Sequence, residues 1–362
     1  MKKIIFYINS MIPSGGIERV VSNLCNNLSE DYFIVVLTKD NTKSFYKLND
    51  NILITSLFLP ANLDMKRSKV FRAIQVIKSF IQTHKKLKRK LKELNAEFIY
   101  VVHVYNALEV LFAKRDEKLI ISEHGSYFGY NKIYTLLKRI IYPKAYKLIV
   151  PSTMDTEVYT RLKYPAVYIP HHKTFSVNEK ITNVQNNHTI LNIGRYTEDK
   201  RQLLLLEIWK NIVVDEKNKD WKLKLVGSGE KEEELRDFVR KHKLETSVEF
   251  KNPTEKINEE YLQAGIFAFT SRFEGFGMVL LEAMSFGLPC ISFDCPSGPR
   301  DVVQDNSNGF LIQNNNVKLF GEKLVELMDN SELRLKFQKN AIKTINNWDN
   351  DKITNIWKVI LQ

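Results

Sequence analysis

Short apolar runs, rich in β-branched and aromatic residues, alternate along this chain with longer segments of helical periodicity. In the first half the runs are Ile4–Ile8, Tyr32–Thr38, Ile52–Phe58, Phe98–Val102, Lys118–Ser122 and Lys147–Val150. In the second they are Thr189–Ile193, Trp221–Val226, Ser247–Phe250, Ile266–Thr270 and Pro289–Phe293. Runs that are apolar throughout, and not only at every second position, fit strands buried on both faces. That is the condition of a parallel sheet covered by helices. The pattern therefore predicts an α/β protein with two Rossmann-like parallel-sheet domains, residues 1–170 and 189–345. The stretch 171–188 is polar and weakly periodic and is expected to link them. The end of the chain, 346–362, predicts a closing helix from Asp349 to Leu361.

Length agrees with two domains, since 362 residues is long for one core. Charge adds something the apolar pattern lacks. Residues 1–170 hold 27 Lys and Arg against 14 Asp and Glu, a net +13, whereas the whole chain is +12, leaving −1 for the remainder. A field confined to the first half attracts anions, whether nucleic acid, acidic lipid or an anionic acceptor. The opening MKKIIFYINSMIPSGG mimics a signal peptide, but its apolar core is shorter than the roughly 7 to 15 residues needed, so a cytoplasmic first strand is expected. No apolar run reaches the length of a membrane span. Cys25, Cys290 and Cys295 form no CxxC pair and suit a reducing compartment.

In open α/β sheets, ligands bind beyond the carboxyl ends of strands. Five candidate constellations fall there. SRFEGFGMVLLEAM places Glu274 on a loop after a strand and Glu282 on the second turn of the following helix. The first amides of that helix, at Gly277, Met278 and Val279, offer an anion site; an ordinary amphipathic helix is the competing reading. GRYTEDKRQ puts Arg195 and Lys200 between strand and helix, where two cations can neutralise a diphosphate; a solvated basic turn competes. LVGSGE carries Gly227, which close strand–helix packing would also require, and lacks the GK[ST] of a Walker sequence. PSGGIER carries Gly16, where a ligand can approach the main chain. SEHGSY puts His124 at a strand end, as hydrogen-bonding group, proton shuttle or plain structural histidine.

Residues 66–94 read as a basic amphipathic helix. Val70, Ile74, Ile77, Ile81, Leu87, Leu91 and Leu94 repeat at helical spacing, and Lys85, Lys86, Lys88, Arg89, Lys90 and Lys92 crowd its second half. It is expected either to lie on an acidic membrane or simply to cover the sheet with a wet basic face. No nucleic-acid motif accompanies this charge, so no nucleic-acid partner is expected. Asp349-Asn350-Asp351 spells DxD but sits where Asp caps a helix, and no metal is expected.

Together these motifs, in content and in order, resemble the family 4 glycosyltransferases of the GT-B fold. The likeness covers nearly the whole chain, and the Glu-x7-Glu element from Glu274 to Glu282 is its most specific part. It implies a retaining, metal-independent hexosyl or N-acetylhexosaminyl transferase. The nucleotide-sugar donor, UDP-linked by family frequency, serves as co-substrate with no cofactor. The acceptor is a glycan or polyprenyl-linked, in cell-surface polysaccharide synthesis, and the enzyme is cytoplasmic or peripheral on the membrane's inner face. Glu282 is implied to hold the ribose hydroxyls and Glu274 the transferred sugar. Arg195, Lys200 and the 277–279 amides are implied at the diphosphate, with Gly16 against it. His124 is implied near the sugar C6 hydroxyl, and the last helix to cross back to the first domain. Arg201 departs from the family, where glycine is common, and CPSGPRDVV replaces its usual glycine pair and glutamate. A nucleotide-sugar epimerase or hydrolase of the same fold, or a non-catalytic membrane-associated sugar-nucleotide-binding subunit, are the alternatives.

Overall fold

Each of the eleven apolar runs becomes a strand in the computed structural model, with no end displaced by more than two residues. The structure describes residues 1–60, 69–129, 132–176 and 181–362, the side chains of 69–77 excepted. The described chain divides into two units, one of residues 1–172 with 351–362 and one of 173–350.

The first unit holds β1 Lys3–Ile8, β2 Phe33–Thr38, β3 Leu53–Ser56, β4 Phe98–Val101, β5 Lys118–Ser122, β6 Lys147–Val150 and β7 Ala166–Tyr168. They form one sheet in the order β3-β2-β1-β4-β5-β6-β7, every pair parallel. Central strands are buried along almost their whole length, as β4 (FIYV) shows. That is why their sequences do not alternate. Strand β7 is three half-buried residues at the sheet edge, too short and too wet to stand out as an apolar run.

The second unit holds β8 Thr189–Ile193, β9 Lys222–Val226, β10 Val248–Lys251, β11 Ile266–Phe269, β12 Cys290–Asp294 and β13 Gly309–Gln313. Its order is β10-β9-β8-β11-β12-β13, again all parallel. The edge strand β13 is the second one that the sequence pattern missed.

The expected linker is tied down rather than loose. The side chain of Gln338 donates to the Thr182 carbonyl at 2.7 Å, and the Arg334 guanidinium donates to the carbonyls of Val184 and Gln185 at 2.6 and 3.0 Å. Residues 181–188 thus belong to the second unit; residues 177–180 of the expected linker lie outside the described residues. Helix Asn350–Ile360 closes the chain in the first unit, where Trp357 meets Tyr100 edge-on at 5.9 Å and Thr354 hydrogen-bonds His172 Nε2 at 3.0 Å.

The basic helix spans Lys69–Leu94, and residues 66–68 of the expected element lie outside the described residues. Leu87, Leu91 and Leu94 are buried in the first core, while Lys85, Lys88, Arg89 and Lys92 are exposed. The described part of its apolar stripe therefore covers the sheet, apart from Ile81, which is exposed.

Candidate functional site

In the second unit the loops after β8 and β11 are stitched together. The Arg272 amide donates to the Asp199 carbonyl at 2.7 Å, and Thr270 Oγ1 donates to the carbonyls of Lys200 and Arg201 at 3.1 and 3.2 Å. This brings Lys200 onto Glu274 as an ion pair, 26% and 11% exposed, with the ammonium also 5.7 Å from the centre of the Phe269 ring. Arg195 is exposed on the same β8 loop, and its guanidinium has no ion pair among the described residues. Two neighbouring cations, one paired and one open, suit an anion.

The helix after β11 is Met278–Ser285, with Gly277 as its N-cap at φ 86° and ψ 53°. That left-handed conformation is why glycine stands there, and glycine has no side chain with which to cap the helix. The first amides of the helix, Met278 and Val279 included, have no intrahelical acceptor, so they carry partial positive charge. One turn further on, Glu282 is 5% exposed. It accepts hydrogen bonds from Thr174 Oγ1 at 3.0 Å and Tyr261 OH at 2.9 Å. A carboxylate inside an apolar helix is thus stabilised by hydroxyl donors aimed at it from two other segments.

The glycines divide. A Cβ on Gly227 would lie 2.0 Å from the Gly194 carbonyl oxygen, so close packing of the β8 and β9 loops demands glycine there whatever else it does. A Cβ on Gly16 would meet nothing within 4 Å. Gly16 is exposed at the first turn of helix Gly16–Leu28, and packing does not explain it.

In the first unit His124 follows β5. Its ring stacks on His171 with centroids 5.3 Å apart and 14° between planes, and its Nε2 lies 3.5 Å from Tyr100 OH. Burial, reinforced by nearby His103, pushes its pKa down to about 3, so the ring is neutral at physiological pH. Beneath it is a buried carboxylate. Glu123 Oε1 accepts the His124 and Gly125 amides at 3.0 and 3.1 Å. Glu123 Oε2 accepts from Tyr159 OH at 2.7 Å, Tyr142 OH at 3.1 Å and the Lys138 ammonium. Burial alone would raise the Glu123 pKa, but the Lys138 charge and these hydrogen bonds hold it below the usual value.

Two family models and several relatives match the chain. A Glycosyltransferase Family 4 model matches residues 14–171, and a Glycosyl transferases group 1 model matches residues 175–344. An uncharacterized glycosyltransferase of Haemophilus influenzae is 30% identical over all of both chains. The chain is a family 4 glycosyltransferase. The amylovoran biosynthesis glycosyltransferase AmsD of Erwinia amylovora is 28% identical, also over all of both chains. Among solved structures, a variant of Staphylococcus aureus TarM in complex with fondaparinux, alpha-GlcNAc-glycerol and UDP aligns with a TM-score of 0.83 at 15% identity, covering 99% of each chain. The pneumococcal O-GlcNAc transferase GtfA, in complex with UDP and GlcNAc, aligns with a TM-score of 0.78 at 15% identity, covering 100% of this chain and 99% of its own. At that identity the likeness shows the fold, which is GT-B.

The glycosyltransferase therefore carries its sequence-selected residues at two places. Arg195, Lys200, Gly227, Glu274, Gly277, Met278, Val279 and Glu282 are in the second unit; Gly16 and His124 are in the first. Sequence reasoning missed Glu123, Tyr261 and Thr174, the groups that hold the chosen ones in place. Glu123 had a signal: a carboxylate directly after an apolar strand needs partners if it is buried. Tyr261 and Thr174 had none, because they reach Glu282 from distant segments. Among the described residues no group of three His, Cys, Asp or Glu could hold a metal ion.

Proposed function

We propose that this glycosyltransferase moves a hexosyl or N-acetylhexosaminyl unit from a UDP-sugar to a glycan or polyprenyl-linked acceptor, with retention and without a metal, in cell-surface polysaccharide synthesis. The observation that carries the reading is the Lys200–Glu274 ion pair beside open Arg195. An anion can draw on both cations, and the released carboxylate then faces whatever that anion carries.

When the anomeric C–O bond breaks, its electron pair goes to the UDP β-phosphate. Arg195, Lys200 and the Met278 and Val279 amides would stabilise that charge. Glu274 would hold hydroxyls of the transferring sugar. The acceptor oxygen forms the new bond on the face the phosphate leaves, and its proton passes to a phosphate oxygen. Glu282, oriented by Tyr261 and Thr174, would accept from the ribose hydroxyls. In the first unit, Gly16 would let a ligand approach the main chain and His124 would hydrogen-bond a sugar hydroxyl.

Support for the acceptor class comes from relatives. One, 26% identical over 99% of this chain, is a Campylobacter jejuni N-acetylgalactosaminyltransferase acting on an undecaprenol-linked saccharide. Another is the amylovoran enzyme described above. We place the reaction at the cytoplasmic membrane face, since the excess cations of the first half suit acidic lipid.

The test is binding of UDP and a panel of UDP-sugars by thermal shift and calorimetry. Stabilisation is expected for wild type, with a large loss of UDP affinity in Glu282→Ala. Wild-type affinity in that variant would remove Glu282 from the nucleotide site. Rapid conversion of donor without acceptor would favour an epimerase or hydrolase instead.

A further inference from the structure

Helix Lys132–Ile141, KIYTLLKRII, is apolar on both faces: Ile141, Tyr134 and Leu137 pack in the first core, yet aliphatic side chains also face outward. Its inward face carries a lysine: Lys138 is buried against Glu123, with Ile141 buried beside it. Its outward face carries aliphatic side chains. Ile133, Leu136 and Ile140 are 68%, 59% and 51% exposed and fall at i, i+3 and i+7, a single stripe. Lys132 and Arg139 are exposed on the same helix. Helix Val104–Ala113 packs alongside, with Tyr105 edge-on to Tyr134 at 5.2 Å, and adds exposed Tyr105; its Phe112, also exposed, meets Phe80 of the basic helix edge-on at 5.8 Å. Neither helix shows an exposed acid: the first has none, and Glu109 on the second is buried with Lys39 and Tyr7.

We propose that this face rests on an anionic lipid bilayer. Its aliphatic stripe would enter the boundary between headgroups and acyl chains, and Lys132 and Arg139 would sit on lipid phosphates. Charge favours lipid over a second copy, because apposing two such faces sets like charges together. Two short helices also offer little area beside the roughly 800 Å² per partner of a stable protein interface. The basic helix Lys69–Leu94 is a weaker candidate, since its Leu87, Leu91 and Leu94 are buried in the core. The docked helix is joined through Lys138 to Glu123, and through Glu123 to the His124 and Gly125 amides. A bilayer contact is thus fixed rigidly to the His124 loop. The proposal deepens the reading of a polyprenyl-linked acceptor and rests on it only for that acceptor; the surface itself stands on the exposed stripe and its charges.

The full-length protein is floated with phosphatidylcholine vesicles, with and without phosphatidylglycerol. Wild type is expected to float with the anionic vesicles. Ile133→Ser/Leu136→Ser/Ile140→Ser, which alters exposed side chains only, should lower the bound fraction about tenfold or more at every salt concentration. Lys132→Glu/Arg139→Glu should lose the preference for phosphatidylglycerol. Both should keep the wild-type melting temperature and UDP-induced shift. The proposal is overturned if wild type does not float, or if the serine variant floats like wild type. It is also overturned if light scattering finds a wild-type dimer that the serine variant dissolves. Retained UDP binding with failed flotation rejects this surface and leaves the proposed activity standing; flotation without UDP binding does the reverse.

Discussion

The loop after β5 and the loops after β8 and β11 all leave the carboxyl ends of interior parallel strands, yet they treat charge in opposite ways. After β5 it is turned inward: Glu123 is buried, and five donors from the main chain, Lys138 and two tyrosines saturate it. After β8 and β11 it is turned outward: Arg195 is exposed and the Lys200–Glu274 pair is only partly covered. A saturated carboxylate has little capacity left for a ligand, so it builds a loop. A partly covered pair can exchange partners, so it can bind one. The same residue types serve as scaffold or as site according to how completely they are satisfied.

The sharpest way to break this comparison is to remove one acid from each place. Glu123→Ala leaves Lys138 buried without a counter-charge and is expected to cost roughly 3 to 5 kcal/mol in chemical denaturation. Glu274→Ala leaves a lysine that water can reach and is expected to cost about 1 kcal/mol at most. Equal losses would show that the two regions do not differ in kind.

Next come the cations. Lys200→Ala and Arg195→Ala are each expected to slow transfer by several tens-fold or more, on the order of 2 to 4 kcal/mol in kcat/KM, with melting temperature nearly unchanged. Wild-type initial rates in both would remove the outward charges from the reaction. The glycines sharpen the contrast further. Gly227→Ala drives a methyl group into the Gly194 carbonyl and should destabilise by about 1 to 3 kcal/mol. Gly16→Ala meets open space and should leave stability within about 1 kcal/mol, so any fall in activity there would report on a ligand.

The smallest effect expected is at Arg201. It sits at φ 53° and ψ 39°, in the left-handed region, where glycine is the easier residue. Arg201→Gly should raise stability by roughly 0.5 to 1 kcal/mol, read as a rise in melting temperature. A lower melting temperature would mean that the Arg201 contact with Asn314 Oδ1 at 3.4 Å outweighs the backbone strain.

Much of the fold was legible because burial on both faces of a parallel strand leaves an unbroken apolar run. Eleven strands showed themselves in that way; β7 did not, being three half-buried residues, and β13 did not, its apolar stretch Phe310–Ile312 being only three residues long. The candidate residues were legible for a related reason, since glycines, cations and carboxylates at strand ends stand out against apolar runs. Their functional reading drew on the family likeness as much as on chemistry.

The sequence alone determined the two α/β units, the placement of Lys200, Glu274 and His124 in strand-end loops and of Glu282 on the helix that follows, and the basic first half, because each of these is local or compositional. Only the tertiary structure decided what those residues face. Tyr261 and Thr174 come to Glu282 from 21 and 108 residues away, and Lys138 reaches Glu123 by turning a lysine inward and three aliphatic side chains out. The physical reason is that burial and pairing belong to the packed chain. A helical pattern states which residues share a face, but not whether that face meets a sheet or the solvent.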